Sequence, residues 1–301
     1  MEPDPPSPGG APTLNLRLRG LALATCVIAG MGLTGASWGT NGSTLVDRAA
    51  TPHSLPRVTE YDSLLVSAID PDAVLLGTQH GLFRTTNGGR SWTPAGLHRE
   101  AVTSLSQVGQ TIIAAGNDLL ASSIDGGRTW RRSHPRGLPN DDVAALGSDR
   151  STIYLVIRGA GLYRSSDRGR TFRPVSFGVG PAIRALALTS SRIIAGDVVT
   201  GVYLSPNGRD WLHTANGMIM GLAVGGADRE QVLGAGWGIV RSNDGGRRWH
   251  TALRSHVIFG AVAWAPGDSA LAYAVGDDRS FWRSTDGGRH WRRVTERRPR
   301  G

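Results

Sequence analysis

An eight-residue segment, Ser123-Ile124-Asp125-Gly126-Gly127-Arg128-Thr129-Trp130, occurs in six versions along this 301-residue chain and restricts its fold more than any other feature. The other copies run from Thr85 to Trp92, Ser165 to Phe172, Ser205 to Trp211, Ser242 to Trp249 and Ser284 to Trp291. Their closing aromatics, Trp92, Trp130, Phe172, Trp211, Trp249 and Trp291, lie 38, 42, 39, 38 and 42 residues apart. A period of that length belongs to architectures in which one unit cannot bury its apolar face alone and stacks on its neighbours.

The chemistry of the segment is that of a tight turn. A short acceptor side chain, here Asn87, Asp125, Asp167, Asn207, Asp244 or Asp286, takes hydrogen bonds from backbone N–H groups further along, and glycine supplies the positive φ. The Ser and Thr hydroxyls tie the two strand ends, and the closing aromatic is large enough to wedge between sheets. A calcium loop needs a ring of acidic ligands that this pattern lacks.

The pattern Ser/Thr-x-Asp-x-Gly-x-Ser/Thr-Trp/Phe resembles the Asp-box, or bacterial neuraminidase repeat. That repeat is found in sialidases, sortilin-type receptors, photosystem II assembly factors and exported bacterial propellers. The copies at Thr85, Ser123 and Ser165 match it well, with Asn87 in the Asp position of the first. Arg248 and His290 replace the late hydroxyl in two copies, and the copy at Ser205 is one residue short. The resemblance implies a β-propeller.

The residues between the boxes agree. In the first repeat, runs at 63–69, 73–77, 82–85 and 91–94 read as four short strands, and the plan recurs at 143–175 and 259–294. Four strands in about 40 residues is the length of one propeller blade. The early strand of each repeat is the most continuously apolar, as for strands buried toward an axis. The expectation is all-β: a six-bladed β-propeller of four-stranded antiparallel blades over 57–299, preceded by one N-terminal hydrophobic helix. Residues 53–59 are available as an extra strand to close the ring.

Forty-two glycines and 16 prolines fit a turn-rich β protein, and the single cysteine, Cys26, excludes a disulfide framework. Residues 1–19 read as disordered. An uncharged run over 20–38, preceded by Arg17 and Arg19, reads as a signal peptide or membrane anchor, and 39–56 as a linker. The propeller is then extracytoplasmic, secreted or tied to a membrane through the N-terminal segment. The net charge of +9 would point a cytosolic protein toward nucleic acid, a partner that export disfavours. Every basic side chain other than histidine is arginine, and Arg84, Arg90, Arg128, Arg168, Arg247 and Arg289 crowd the repeat turns. A rim of that kind can meet an anionic surface.

If the repeat turns share one rim, the loops joining second to third strands and those joining blades gather at the opposite mouth. There the sequence places His80, Arg99, Asp118, Asp141, Asp142, Arg158, Arg184, Asp197, Trp237 and Asp278, a mixed polar set with one indole. These are the candidate ligand-binding residues, for a protein or a glycan. Resemblance to sialidases implies an arginine triad, met by Arg99, Arg158 and Arg184, with Asp141 or Asp142 as acid. Against it, no Phe-Arg-Ile-Pro signature is present, and the five tyrosines fall outside the mouth loops. A carboxylate pair for glycoside hydrolysis, Asp141 or Asp142 with Asp197 or Asp278, is not singled out by any motif. The histidines show no metal-ligand spacing, and no glycine-rich phosphate loop opens a helix, so no metal or cofactor is expected. The reading is a binding or assembly propeller, with a glycoside hydrolase and a photosystem assembly chaperone as alternatives.

Overall fold

A computed structural model describes residues 55–177, 180, 182–226 and 229–294. The expected disordered segment, apolar helix and nearly all of the linker lie outside the described residues. Among those described, no helix is long and apolar enough to cross a membrane.

The chain is all-β. Strands β1 (Tyr61–Val66), β2 (Val74–Thr78), β3 (Gly81–Thr85) and β4 (Thr93–Pro94) form the first sheet in that order. The second holds β5 (Ser104–Val108), β6 (Thr111–Gly116), β7 (Leu119–Ser123) and β8 (Arg131–Arg132). The third holds β9 (Val143–Ser148), β10 (Ile153–Ile157), β11 (Gly161–Ser165) and β12 (Arg173–Ser176). The fourth holds β13 (Ile183–Leu188), β14 (Ile193–Asp197), β15 (Gly201–Ser205) and β16 (Leu212–Ala215). Neighbours pair antiparallel, so each sheet is a meander.

The fifth sheet departs from the expected plan. It has six strands: β17 (Ile219–Gly225), β18 (Gln231–Ser242), β19 (His250–Trp264), β20 (Ala272–Gly276), β21 (Phe281–Ser284) and β22 (Arg292–Arg293). There are five sheets, not six separate blades, because β18 and β19 run long enough to carry the last two repeats in one sheet. Thr251 and Leu253 of β19 pair with β18, while Phe259 to Trp264 of the same strand pair with β20. The sheet's halves pack on each other, Leu233 and Ala235 meeting Val262, Trp264 and Ala272 in one cluster. Val66, Ser106, Ser148, Leu188, Val224 and Trp264, from six strand segments, therefore line one axial cavity of about 190 Å³.

In the first, fourth and last repeats the most buried strand is not the first but the second. β2, β14 and β20 are buried at every residue because both faces meet neighbouring sheets. The first strands line the channel and admit partial exposure, as in β5 and β17.

Among the described residues no strand is exchanged to close the ring; residues 55–59 form none, and Leu55 and Val58 pack over the joint instead. Tyr61, Leu64, Val66, Val74 and Leu76 of the first sheet share a core with Ala261, Ala263, Tyr273, Val275 and Phe281 of the fifth. Trp92 is only 2% exposed there and meets Phe281 edge-on, with centroids 5.2 Å apart. Gly260 is required at this joint, since a Cβ would collide with the carbonyl oxygen of Tyr61. The Tyr273 hydroxyl adds a bond to the Pro71 carbonyl at 3.2 Å.

Each repeat turn has the bonding its residue types imply. The Ser123 hydroxyl donates to Asp125 Oδ1 at 2.8 Å and accepts from the Gly127 amide at 2.9 Å. Asp125 accepts from the amides of Arg128 and Thr129, and from the Thr129 hydroxyl at 2.6 Å. The hydroxyls of Thr129 and Thr171, then their amides, hold Asp125 and Asp167 far below the usual carboxylate range. In the last copy the His290 ring takes the place of the missing hydroxyl, Nδ1 lying 2.6 Å from Asp286 Oδ2. The closing aromatics wedge toward the preceding repeat: Trp130 packs with Leu75, Trp249 with Ile194 and Leu204, and Trp291 with Leu233.

Because Trp92 belongs to the joint that closes the ring, its truncation should cost more than an average core change. Trp92→Ala is expected to lower unfolding stability by about 3–5 kcal/mol in urea titrations, the range for a buried aromatic. A loss below about 1 kcal/mol would show that the joint is held elsewhere.

Candidate functional site

In an antiparallel meander, the β2–β3 turn and the connection to the next sheet lie at the end where β1 begins, while the repeat turns lie at the other end. Along β1, Asp62 shares a strand face with Leu64 and Val66, and all three line the channel. An acidic residue on that face needs a partner. It finds one across the ring: Arg184, in β13, places Nη2 2.9 Å from Asp62 Oδ1.

Two more groups complete the cluster. Glu60 Oε2 lies 3.9 Å from the same Arg184 nitrogen. Gln79 donates Nε2 to Asp62 Oδ2 at 3.0 Å and to Glu60 Oε2 at 3.4 Å. The Asp62 side chain is only 2% exposed. Burial pushes its pKa up to about 6; Arg184 opposes the rise, Glu60 adds to it and Gln79 opposes it. The channel is thus bridged at this end by the chain's own charges.

Around this centre the other candidates sit in smaller constellations. Arg158 joins the second and third sheets, donating Nε to Asp142 Oδ1 at 3.0 Å and Nη2 to Asn117 Oδ1 at 3.4 Å. Asp141 pairs with His134 at 2.8 Å. Asp118, at φ +49°, offers its carbonyl to Arg132, which also pairs with Glu100. The backbone carbonyl of the exposed His80 accepts the Arg99 amide at 3.1 Å, and Arg99 is itself exposed at φ +65°.

Two carboxylates are used within their own turns. Asp197 accepts the amides of Val199 and Thr200, both at 2.8 Å. Asp278 accepts from the amide and hydroxyl of Ser280 and stands 3.8 Å from Arg293. Trp237, 60% exposed, projects from the tight bend inside β18.

The structure brings together Arg158 with Asp142, and Arg184 with Asp62, Glu60 and Gln79. Arg158 and Arg184 are each engaged with a different carboxylate of the chain. Sequence reasoning missed Asp62 and Glu60, because the first strand was begun at Ser63. The available signal was period two: Asp62 continues the face of Leu64 and Val66, where a charge is costly, while Glu60 precedes the strand and is exposed. No group of three or more metal-ligating side chains occurs among the described residues.

No protein-family model and no curated protein matches the chain. Solved structures do resemble it. A GH74 xyloglucanase from Xanthomonas campestris superposes with a TM-score of 0.56 at 20% identity, covering 82% of this chain and 46% of that one. This chain therefore spans about half the length of that enzyme. YCF48 from Cyanidioschyzon merolae gives 0.51 at 17% identity, covering 81% and 87%, and YCF48 bound to D1 peptide gives 0.51 at 19%, covering 80% and 83%. At these identities the likeness establishes the β-propeller fold.

The buried cluster has a pH signature. Between 3.8 and about 6 the unfolded chain has ionised Asp62 while the folded chain still holds its proton. Stability from this group is therefore present below about pH 4 and is lost as the pH rises to about 6, a step worth about 3 kcal/mol. Asp125 and Asp167 act oppositely, their contribution disappearing only at lower pH, since they are held down. Unfolding measured at pH 4, 5, 6 and 7 should show the fall in the parent chain and a flatter profile in Asp62→Asn; parallel profiles would refute the assignment.

Proposed function

We propose that this chain is an exported β-propeller that acts as a protein-binding module, with its partner seated on the mouth where β1 begins. The observation that carries this reading is the bridge between Asp62 and Arg184, which closes the centre of the mouth with the chain's own charges. What remains for a partner is the polar rim around it, with Arg99, Arg158 and the exposed Trp237 as its accessible anchors. Arginine and tryptophan are the side chains most often dominant in protein recognition. Likeness to a propeller solved with a bound peptide supports the same class of partner.

Export rests on the apolar run 20–38 behind Arg17 and Arg19. Alkaline phosphatase fused after residue 56 is expected to be active in whole cells. An enzyme active only after lysis would place the chain inside.

A second reading, a glycoside hydrolase, draws on one specific feature. Glu60 and Asp62 share Gln79 and Arg184, and burial raises Asp62 to about 6, the range that suits a carboxyl group to proton donation. A third, a photosystem assembly factor, rests on likeness to YCF48 alone and requires a photosynthetic source.

One set of proteins separates the first two. The triple variant Arg99→Ala, Arg158→Ala, Trp237→Ala is expected to lose at least tenfold in capture of envelope proteins, with its melting temperature within a few degrees of the parent. Unaltered capture would remove the rim as the site. Turnover of xyloglucan or a fluorogenic glycoside that disappears in Asp62→Asn would replace the binding reading with the hydrolase.

A further inference from the structure

Arg283 occupies the same place in the last repeat as Arg241 in the one before, immediately ahead of the repeat serine. Arg241 uses its donors inside the fold. Its Nε donates to the Gly287 carbonyl at 2.7 Å, Nη2 to Gln231 Oε1 at 2.9 Å, and Nη1 to Asn243 Oδ1. In the last repeat both side-chain acceptors are gone. Thr285 stands where Asn243 stood, and Leu271, next before Ala272, holds the place of Gln231, next before Val232. The register supports the match, since Val232 pairs with Val224 as Ala272 pairs with Trp264.

The consequence is an arginine with unused capacity. Arg283 Nε is buried without a hydrogen-bond partner, and the guanidinium sits 5.9 Å over the ring of Tyr273. Directly across the β21–β22 ladder stands Arg292. Like charges in opposed cross-strand positions repel. The ion pairs among the described residues include neither arginine.

Asp286, the carboxylate in the lining of the cavity beside them, is already engaged. Asp286 Oδ1 accepts from the Ser284 hydroxyl and the amides of Arg289 and His290, and Oδ2 faces His290 Nδ1. Arg283, Arg292, His290, Thr285 and Asp286 line a cavity of about 410 Å³ at the repeat-turn end of the last sheet.

We propose that Arg283 and Arg292, with Thr285 and His290, form a binding site for a phosphate monoester, separate from the mouth. A dianion offsets the repulsion between the two guanidinium groups. Its terminal oxygens accept from two forked donors and one hydroxyl, the geometry arginine serves best. The cavity exceeds the roughly 30 Å³ that a water occupies by far more than an inorganic ion needs, which leaves room for the esterified group.

Arg164 and Arg173 provide an internal control. They oppose each other across the third sheet in the same way, but neither carries an unpartnered buried nitrogen. Calorimetry on the full chain at low salt, with glucose 6-phosphate, inorganic phosphate, and phosphatidylcholine vesicles with and without phosphatidic acid, tests the proposal. Saturable binding of glucose 6-phosphate or of the phosphatidic acid vesicles is expected, about tenfold or more weaker in Arg283→Ala and in Arg292→Ala. It should be unchanged in the Arg164→Ala, Arg173→Ala double variant. Thr285→Asn, which returns to Arg283 the acceptor that Arg241 has, should weaken binding without removing any charge, and it keeps the test valid if Arg283→Ala does not fold.

Glucose 6-phosphate binding without vesicle binding identifies a soluble ligand; vesicle binding that glucose 6-phosphate displaces identifies a lipid headgroup. Failure of every probe to saturate, parent-like affinity in Arg292→Ala and Thr285→Asn, or an equal loss in the third-sheet control would overturn the site.

Discussion

A ring of sheets must join its last member to its first, and among the described residues of this molecule that joint is made by side chains, with no exchanged strand. The Tyr61 face of β1, the Tyr273 face of β20, Phe281 and the Trp92 wedge share one core. Backbone ladders are specific because every N–H needs an acceptor, whereas a side-chain joint depends on shape. That explains the tight approach at Gly260, where the Tyr61 carbonyl leaves no room for a Cβ. The segment from Leu55 to Val58 adds its apolar side chains over the same seam, and the Arg279 guanidinium bonds the Leu55 carbonyl at 3.4 Å.

Once the ring is closed, its two ends differ in kind. At the repeat-turn end, each acceptor side chain satisfies its own turn, so polarity is resolved locally, and the turn arginines Arg90, Arg128, Arg168, Arg247 and Arg289 are exposed. At the mouth, polarity is resolved across the ring: Asp62 and Arg184 are 122 residues apart and meet because β1 and β13 face the same axis. A buried pair of this kind offers little net stability, since desolvation offsets much of the attraction. Its effect is to bridge the channel and set a polar floor for the mouth.

The repeat also exposes where the chain departs from itself. Arg241 and Arg283 share a sequence position but not an environment, because the acceptors Gln231 and Asn243 have become Leu271 and Thr285. Fusion of the fifth and sixth repeats into one sheet is a second such departure. The bend at Trp237 is so tight that β18 continues through it, and β19 runs from one unit into the next without a break. A period counted from turns records the units and is blind to whether a strand passes between them.

The sequence by itself determined the strand meander, the turn chemistry and the wedge positions, because these depend on residues within about ten positions of one another. Ser123 with Asp125, or Trp130 closing its own turn, is legible on that scale. Antiparallel order likewise sets which loops share the mouth end, whereas Arg184 belongs to β13 itself. Only the tertiary structure decided which charges meet. Asp62 was hidden at the edge of an apolar strand, its partner lies across the ring, and Asp197 turned out to cap its own turn. Contacts between distant residues depend on how the ring closes and how each sheet twists, and neither is written in any local run of residues.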